Sequence, residues 1–190
     1  MAKLRKKTEA ELSAVYAYDV ALRKHRGQRI ASTITIPKES TSQKKKESKS
    51  RFAEAVSWAK ACLSEPAMKE LYSKGICDRL PNAQTVAVSD YLEAPKIHYI
   101  NLTSYTGAVG DKIRIKATDN FKVWEVKLMI TNALGVVLEE GQATRYPRKP
   151  VMWVYEVTVA NPDLPGTVIK ATAKDRPGNR REMEIEIGGE

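Results

Sequence analysis

The chain has 190 residues, 42% of them hydrophobic, enough for a real core and against wholesale disorder. It carries 32 Lys+Arg against 23 Asp+Glu, and the whole formal excess of +9 sits in residues 1–51, because the remaining 139 residues hold 18 of each sign. No apolar run reaches the ~18–20 residues that cross a bilayer. The start MetAlaLysLeuArgLysLys leads into a charged segment rather than an apolar stretch with a cleavage site, so no secretory signal is expected and synthesis in the cytoplasm is.

Residues 8–25 carry two competing patterns. Leu12, Val15 and Tyr16 follow helical spacing behind Thr8, whereas Tyr16, Tyr18 and Val20 alternate as a strand would. Gly27, set between two β-prone runs, favours a hairpin at 18–36 over a long helix. Residues 38–50 contain no apolar side chain and read as a solvated linker. Ser50 is then expected to cap a helix with Glu54 in its first turn and Phe52, Val56, Ala59 and Leu63 on one face. Ser64 and Pro66 restart a short helix to about Ser73, carrying Met68, Leu71 and Tyr72, which Gly75 closes in left-handed geometry. Asn82 caps a third helix that ends near Glu93, ahead of Pro95. Such a unit buries little by itself, so it is expected to pack on the hairpin, on the domain that follows, or on a partner.

From Ile97 the period changes to two. Ile113, Ile115 and Ala117 alternate with Arg114 and Lys116; Val126, Leu128 and Ile130 alternate with Lys127 and Met129. The same holds for Trp153, Tyr155, Val157 and Val159, for Ile169, Ala171 and Ala173, and for Met183, Ile185 and Ile187. Turn signals separate these runs, among them AspAsn at 119–120, ProAspLeuProGly at 162–166 and ArgProGlyAsn at 176–179. Short alternating strands spaced by turns predict an all-β sandwich of two antiparallel sheets. The fold class is therefore α+β: a basic arm and linker at 1–50, a small helical unit at 51–95 and a sandwich at 96–190.

The segment AlaThrAspAsnPheLysValTrpGluValLysLeuMetIleThrAsnAlaLeuGlyValValLeuGluGluGly (117–141) resembles the middle of a bacterial immunoglobulin-like domain. So does the pairing of TrpValTyrGluValThrVal (153–159) with AlaThrAlaLysAspArgProGlyAsn (171–179). The resemblance spans the C-terminal half and implies an immunoglobulin-like fold; such modules serve adhesion, spacing and display alike, so it implies no single function. The front half, with ArgPheAlaGluAlaValSerTrpAlaLysAlaCysLeu (51–63) and ProAlaMetLysGluLeuTyr (66–72), is similar to uncharacterised proteins of prophage and mobile-element regions. That likeness implies no activity, but bacterial immunoglobulin-like domains commonly work outside the cell, and a virion component released by lysis would reconcile this with the absence of an expected export signal.

Candidate sites follow from the residues left over. The two histidines, His25 and His98, have no nucleophile in a recognisable motif beside them, and GlyAlaValGly at 107–110 is too short for a phosphate loop, so an enzyme is not expected. Cys62 and Cys77 make no metal-ligand spacing and read as incidental. Asp119 and Asp175 close two strands that end at one pole of an immunoglobulin-like sandwich; with Asn120 and carbonyls they form a candidate calcium site, against the simpler reading that each bonds its own turn. Glu182, Glu184 and Glu186 read as the solvated face of the last strand, and Trp124 and Trp153 as packing rather than ligand stacking.

The basic arm holds the main candidates for contact: Arg23, Lys24, Arg26, Arg29, Lys44, Lys45 and Lys46. They fit docking on an acidic protein surface in an assembly, or neutralisation of phosphates with Tyr16 and Tyr18 as stacking groups. The favoured expectation is a non-enzymatic structural or interaction protein that assembles with itself or a protein partner, without cofactor, membrane or small-molecule substrate. A nucleic-acid-binding accessory protein is the alternative, and an exported adhesin module the third.

Overall fold

The computed structural model describes residues 20–25, 28–33 and 42–188. The chain divides into two compact units, residues 1–46 and residues 47–190. In the first, β1 (Val20–His25) pairs antiparallel with β2 (Gln28–Thr33), in register from Val20 opposite Thr33 to His25 opposite Gln28. The expected hairpin is this ribbon. The competing helix does not reach residues 20–25; its remainder (8–19), with Tyr16 and Tyr18, and the turn residues Arg26 and Gly27 lie outside the described residues.

Helix α1 (Gln43–Cys62) corrects the expected linker at 38–50: residues 43–50 are helical. Gln, Lys and Glu are strong helix formers, and a polar stretch joined to a segment with a buried face needs no apolar stripe of its own. Ser42 starts the helix, its carbonyl accepting from the Lys45 and Lys46 amides, while the expected cap Ser50 sits inside it and donates to Glu54 Oε1 at 3.1 Å. Phe52, expected on the inner face, is 54% exposed; the inner face is formed by Ala55 and Ala59, small enough to let α1 approach its neighbours closely.

Helix α2 (Pro66–Ser73) begins at its proline, and α3 (Ala83–Leu92) is capped by Asn82, whose Oδ1 accepts from the Thr85 amide at 2.9 Å. Ala59, Tyr72, Ala83, Val86 and Ala87 make a small core with Trp58, Met68, Leu80 and Phe121 against it. Phe121 comes from the loop after a sandwich strand and stacks on Tyr72 with ring centroids 4.7 Å apart, so the helices pack on the sandwich. Gly75 does not close α2 in left-handed geometry, since its φ is not positive. Its reason is space: a Cβ there would lie 2.7 Å from Val86 Cγ1 and 2.9 Å from the Phe121 ring. Gly75→Ala is expected to cost about 1–3 kcal/mol through overpacking, read as a lower urea midpoint.

The sandwich has two four-stranded antiparallel sheets. One runs β3 (Lys96–Asn101), β4 (Lys112–Thr118), β8 (Met152–Glu156), β7 (Thr144–Arg145); the other runs β10 (Arg180–Glu186), β9 (Val168–Lys174), β5 (Glu125–Thr131), β6 (Val137–Gln142). Alternation puts Ile113, Ile115 and Ala117 of β4 and Trp153 and Tyr155 of β8 into the core from one sheet. Val126, Leu128 and Ile130 of β5 enter from the other, where Val126 and Leu128 pair with the small Ala173 and Ala171 of β9. The strand expected to run from Trp153 to Val159 ends at Glu156, and Val159 is 43% exposed.

Backbone pairing nevertheless reaches one residue further, with Val157 N donating to Asp111 O at 2.9 Å and Val157 O accepting from Gly110 N at 2.8 Å. Beyond it the buried Glu139 of β6 takes over: its Oε2 accepts from Tyr155 Oη at 3.0 Å, Thr158 N at 2.9 Å and Thr158 Oγ1 at 2.6 Å. Burial, followed by the Glu139 carboxyl, pushes the Tyr155 phenol up to about 12. Gly141, two residues on, leaves room for the same ring: a Cβ would meet Tyr155 Cε2 at 2.8 Å. Among the described residues no helix is long and apolar enough to cross a membrane.

Candidate functional site

A helix ends with four carbonyls lacking intrahelical donors. At the C-terminus of α3 side chains from other elements supply the donors. Asn120, just past β4, donates to Ser89 O at 2.8 Å, and Arg51 of α1 donates to Leu92 O at 3.0 Å. Asn179, at the end of the turn after β9, lays its Nδ2 on Tyr91 O at 3.1 Å, with Asp90 O and Glu93 O each at 3.4 Å. Residues of α1, of the turn after β4 and of the turn after β9 thus converge on one helix end, and the two turns bring Asp119 and Asp175 beside the helix's own Asp90.

Asp90, Asp119 and Asp175 each offer a carboxylate oxygen, and these atoms lie within 4.8 Å of one another. Asp175 is fully buried and accepts from Gly178 N at 2.8 Å, Asn179 N at 2.6 Å and Asn179 Nδ2 at 2.6 Å. For this residue the simple turn-bonding role holds. Asp90 is also fully buried; its Oδ2 accepts from Tyr72 Oη at 2.7 Å, and its Oδ1 is buried without a partner. Both Asp119 oxygens are buried without a hydrogen bond of normal geometry, although the Asn120 and Lys122 amides are near enough to favour the ionised form. Two full charges 4.8 Å apart repel by about 3–4 kcal/mol at an effective dielectric constant near 20. Arg176, a neighbouring cation, is stacked on Trp124, its guanidinium 4.1 Å from the ring centre.

Burial is the main cause that raises all three carboxyls; for Asp90 the Asp119 and Asp175 charges add to it against the Tyr72 hydrogen bond, and it is pushed up to about 7. A carboxyl raised in the folded state favours folding as pH falls, because the folded chain takes up a proton the unfolded chain does not yet bind. In chelator, lowering pH from about 8 to about 5.5 is therefore expected to stabilise the protein relative to Asp90→Asn by about 2 kcal/mol. Denaturant midpoints of the two chains at both pH values measure it; parallel profiles would count against a proton taken up by Asp90 between those pH values.

Of the residues proposed from sequence, Asp119 and Asp175 meet at one pole, whereas Asn120 turns to Ser89 and leaves the carboxylates. Asp90 escaped the sequence reading. Its signal was a charge at the fourth place of the stripe Ala83, Val86, Ala87, Asp90, all four of which are buried. Arg23 and Lys24 lie on β1 and Arg29 on β2, with Lys24 opposite Arg29, while Arg26 is outside the described residues. Lys44, Lys45 and Lys46 are exposed in the first turn of α1, which holds no acidic residue. Trp124, expected to pack, is 56% exposed under Arg176, and Trp153 is buried under Arg145 at 4.8 Å. These four side chains, with Leu71 and Phe121, line a cavity of about 310 Å³, yet each indole already carries a guanidinium of this chain. His98 Nε2 is 2.6 Å from Thr118 Oγ1, and Cys62 and Cys77 are free thiols.

No family model matches the chain, and no curated protein does. Among solved structures it is similar to CopC from Methylosinus trichosporium OB3b, at 14% identity over 47% of this chain and 87% of that one, with a TM-score of 0.37. A likeness that slight bears on neither family nor function.

Proposed function

We propose that this chain is a non-enzymatic interaction protein, an immunoglobulin-like sandwich braced by helices at one pole and held in an assembly by its basic N-terminal segment. The strand order supports the immunoglobulin-like assignment: β3-β4-β8-β7 faces β10-β9-β5-β6, the arrangement of an A-B-E-D sheet against a G-F-C sheet with one added edge strand. The observation that carries the functional reading is where the buried polar groups go. Tyr72 with Asp90, Asn179 with the end of α3, and Glu139 with Tyr155 and Thr158 all fasten one protein element to another. Polar groups used this way serve rigidity and presentation.

The anchor is assigned to Arg23, Lys24, Arg26, Arg29, Lys44, Lys45 and Lys46. Three adjacent lysines at a helix N-terminus oppose the helix dipole, and an acidic partner surface relieves that repulsion. A prophage-like or virion assembly fits the resemblance of the front half. The second reading, an accessory protein on nucleic acid, draws on the same residues and on the confinement of the +9 charge to residues 1–51.

One experiment separates them. Sedimentation of the full chain, alone and with labelled duplex or single-stranded DNA, is compared at about 50 and 200 mM salt with a chain whose seven anchor residues are changed to Glu. The proposal expects self-association or co-sedimentation with an acidic protein, lost on charge reversal, and no DNA complex. A DNA complex that weakens at least about tenfold between the two salt concentrations transfers the anchor to phosphate.

A further inference from the structure

We propose that Asp90, Asp119 and Asp175 hold a divalent cation, Ca²⁺ in preference to Mg²⁺, which clamps the end of α3 to the pole of the sandwich. The inference concerns the chain itself and stands apart from the identity of any partner. Three carboxylates alone are not a site; the unpaired oxygens make this one. Asp90 is wholly buried, yet its Oδ1 finds no donor, and neither buried oxygen of Asp119 makes a hydrogen bond of normal geometry. Acceptors left unpaired in a folded interior carry a desolvation cost that a cation removes at every oxygen together.

A proton shared between Asp90 and Asp119 is the competing solution. It pairs one oxygen of each, and the second Asp119 oxygen stays bare. A cation takes all three acids.

The donor set is oxygen only, the chemistry of hard cations. Span and hydration select among them. Two oxygens bound to one ion lie at most two bond lengths apart, about 4.6–5.2 Å for Ca²⁺ and about 4.2 Å for Mg²⁺. The three ligand atoms lie within 4.8 Å of one another, a compass that Ca²⁺ spans, and Mg²⁺, which keeps several of its waters, is the poorer fit to buried protein carboxylates. The surroundings also orient the ligands. Tyr72 Oη holds Asp90 at 2.7 Å, and the Gly178 and Asn179 amides hold Asp175, so two of the three carboxylates are fixed from behind as ligating groups commonly are. Those bonds leave lone pairs on the same oxygens for the ion.

The ligands come from residues 90, 119 and 175, on α3, after β4 and after β9. The ion therefore joins helix to sandwich, and its readout is stability. The full chain, stripped with chelator and dialysed, is melted in increasing CaCl₂ at constant ionic strength made up with NaCl, beside MgCl₂ and Asp119→Asn. The expected result is a midpoint that rises by roughly 5–10 °C at saturating Ca²⁺ and by less with Mg²⁺.

Asp119→Asn is the discriminating variant, because its carboxylate accepts no side-chain hydrogen bond that the change would break. It is expected to melt at or above the wild-type temperature in chelator and to lose the Ca²⁺ response. Tb³⁺ gives a second measurement. Tyr72 touches Asp90, so its ring should sensitise Tb³⁺ emission that Ca²⁺ displaces and that Asp119→Asn lacks. No midpoint change with Ca²⁺, Mg²⁺ or Mn²⁺ up to about 10 mM, above the range of even weak calcium sites, overturns the proposal. An equal response, or equal Tb³⁺ emission, in Asp119→Asn overturns it too, and an equal shift with Mg²⁺ overturns the stated preference.

Discussion

Asn179→Ala is expected to destabilise the 47–190 unit by about 2–4 kcal/mol, a large loss for one half-buried amide. Its Nδ2 serves Asp175 Oδ2 at 2.6 Å and Tyr91 O at 3.1 Å, with the Asp90 and Glu93 carbonyls at 3.4 Å. Truncation strands these acceptors at the end of a helix whose remaining donors are already engaged, and a stranded buried acceptor costs about 1–3 kcal/mol. Asn179→Asp keeps the shape and replaces the donor with a fourth carboxyl, so in chelator it should fall below the alanine variant. Urea unfolding monitored by tryptophan fluorescence ranks the three chains. An Asp variant as stable as the wild type would show that the amide is not the donor.

Glu139→Ala is expected to cost a similar ~2–4 kcal/mol, by leaving three donors without an acceptor between the sheets. Those donors are Tyr155 Oη, Thr158 N and Thr158 Oγ1. Glu139→Gln keeps a carbonyl oxygen in place and should lose less than half as much. A double-mutant cycle with Tyr155→Phe isolates the phenol's share, because both residues act on one oxygen and their losses should not add. Additive losses would mean that Tyr155 is held by its packing against Gly141 instead.

Both residues show what a local pattern conveys and what it does not. The alternation of Ile113, Ile115 and Ala117, or of Val126, Leu128 and Ile130, is a property of neighbours on one strand, and the inward faces of β4 and β5 follow from it directly. The Asn82 cap is legible for the same reason, since its partner Thr85 is three residues away. The ribbon of β1 and β2 was marked by a glycine between β-prone runs. By contrast, the polar run at 43–50 reads as linker until α1 is seen to continue into the face formed by Ala55 and Ala59.

Phe52 carried the right periodicity for burial, and the smaller alanines took the inner face because close approach mattered more than apolar area. Trp124 is held half in solvent by the guanidinium of Arg176, a pairing that no spacing announces. The candidate metal centre was half legible. Asp119 and Asp175 are turn acids of strands that a sandwich brings to one pole, whereas Asp90 belongs to a helix whose docking depends on tertiary contacts. Its one local mark was a charge in an apolar stripe, a conflict between composition and pattern of the kind that functional sites produce.

The distance along the chain between the end of α3 and its capping amide also has a temporal meaning. Asn179 follows the carbonyls it holds by 86 to 89 residues. At translation rates of about 5–20 residues per second, the helix leaves the ribosome on the order of 4–20 s before its closing donor is made. Through that interval α3 has its own Asn82 cap at one end and the earlier-made Arg51 on Leu92 O at the other, while the Asp90 and Tyr91 carbonyls wait for their donor. The helical segment is thus born partly open, and the turn that completes it arrives with the last strands of the sandwich.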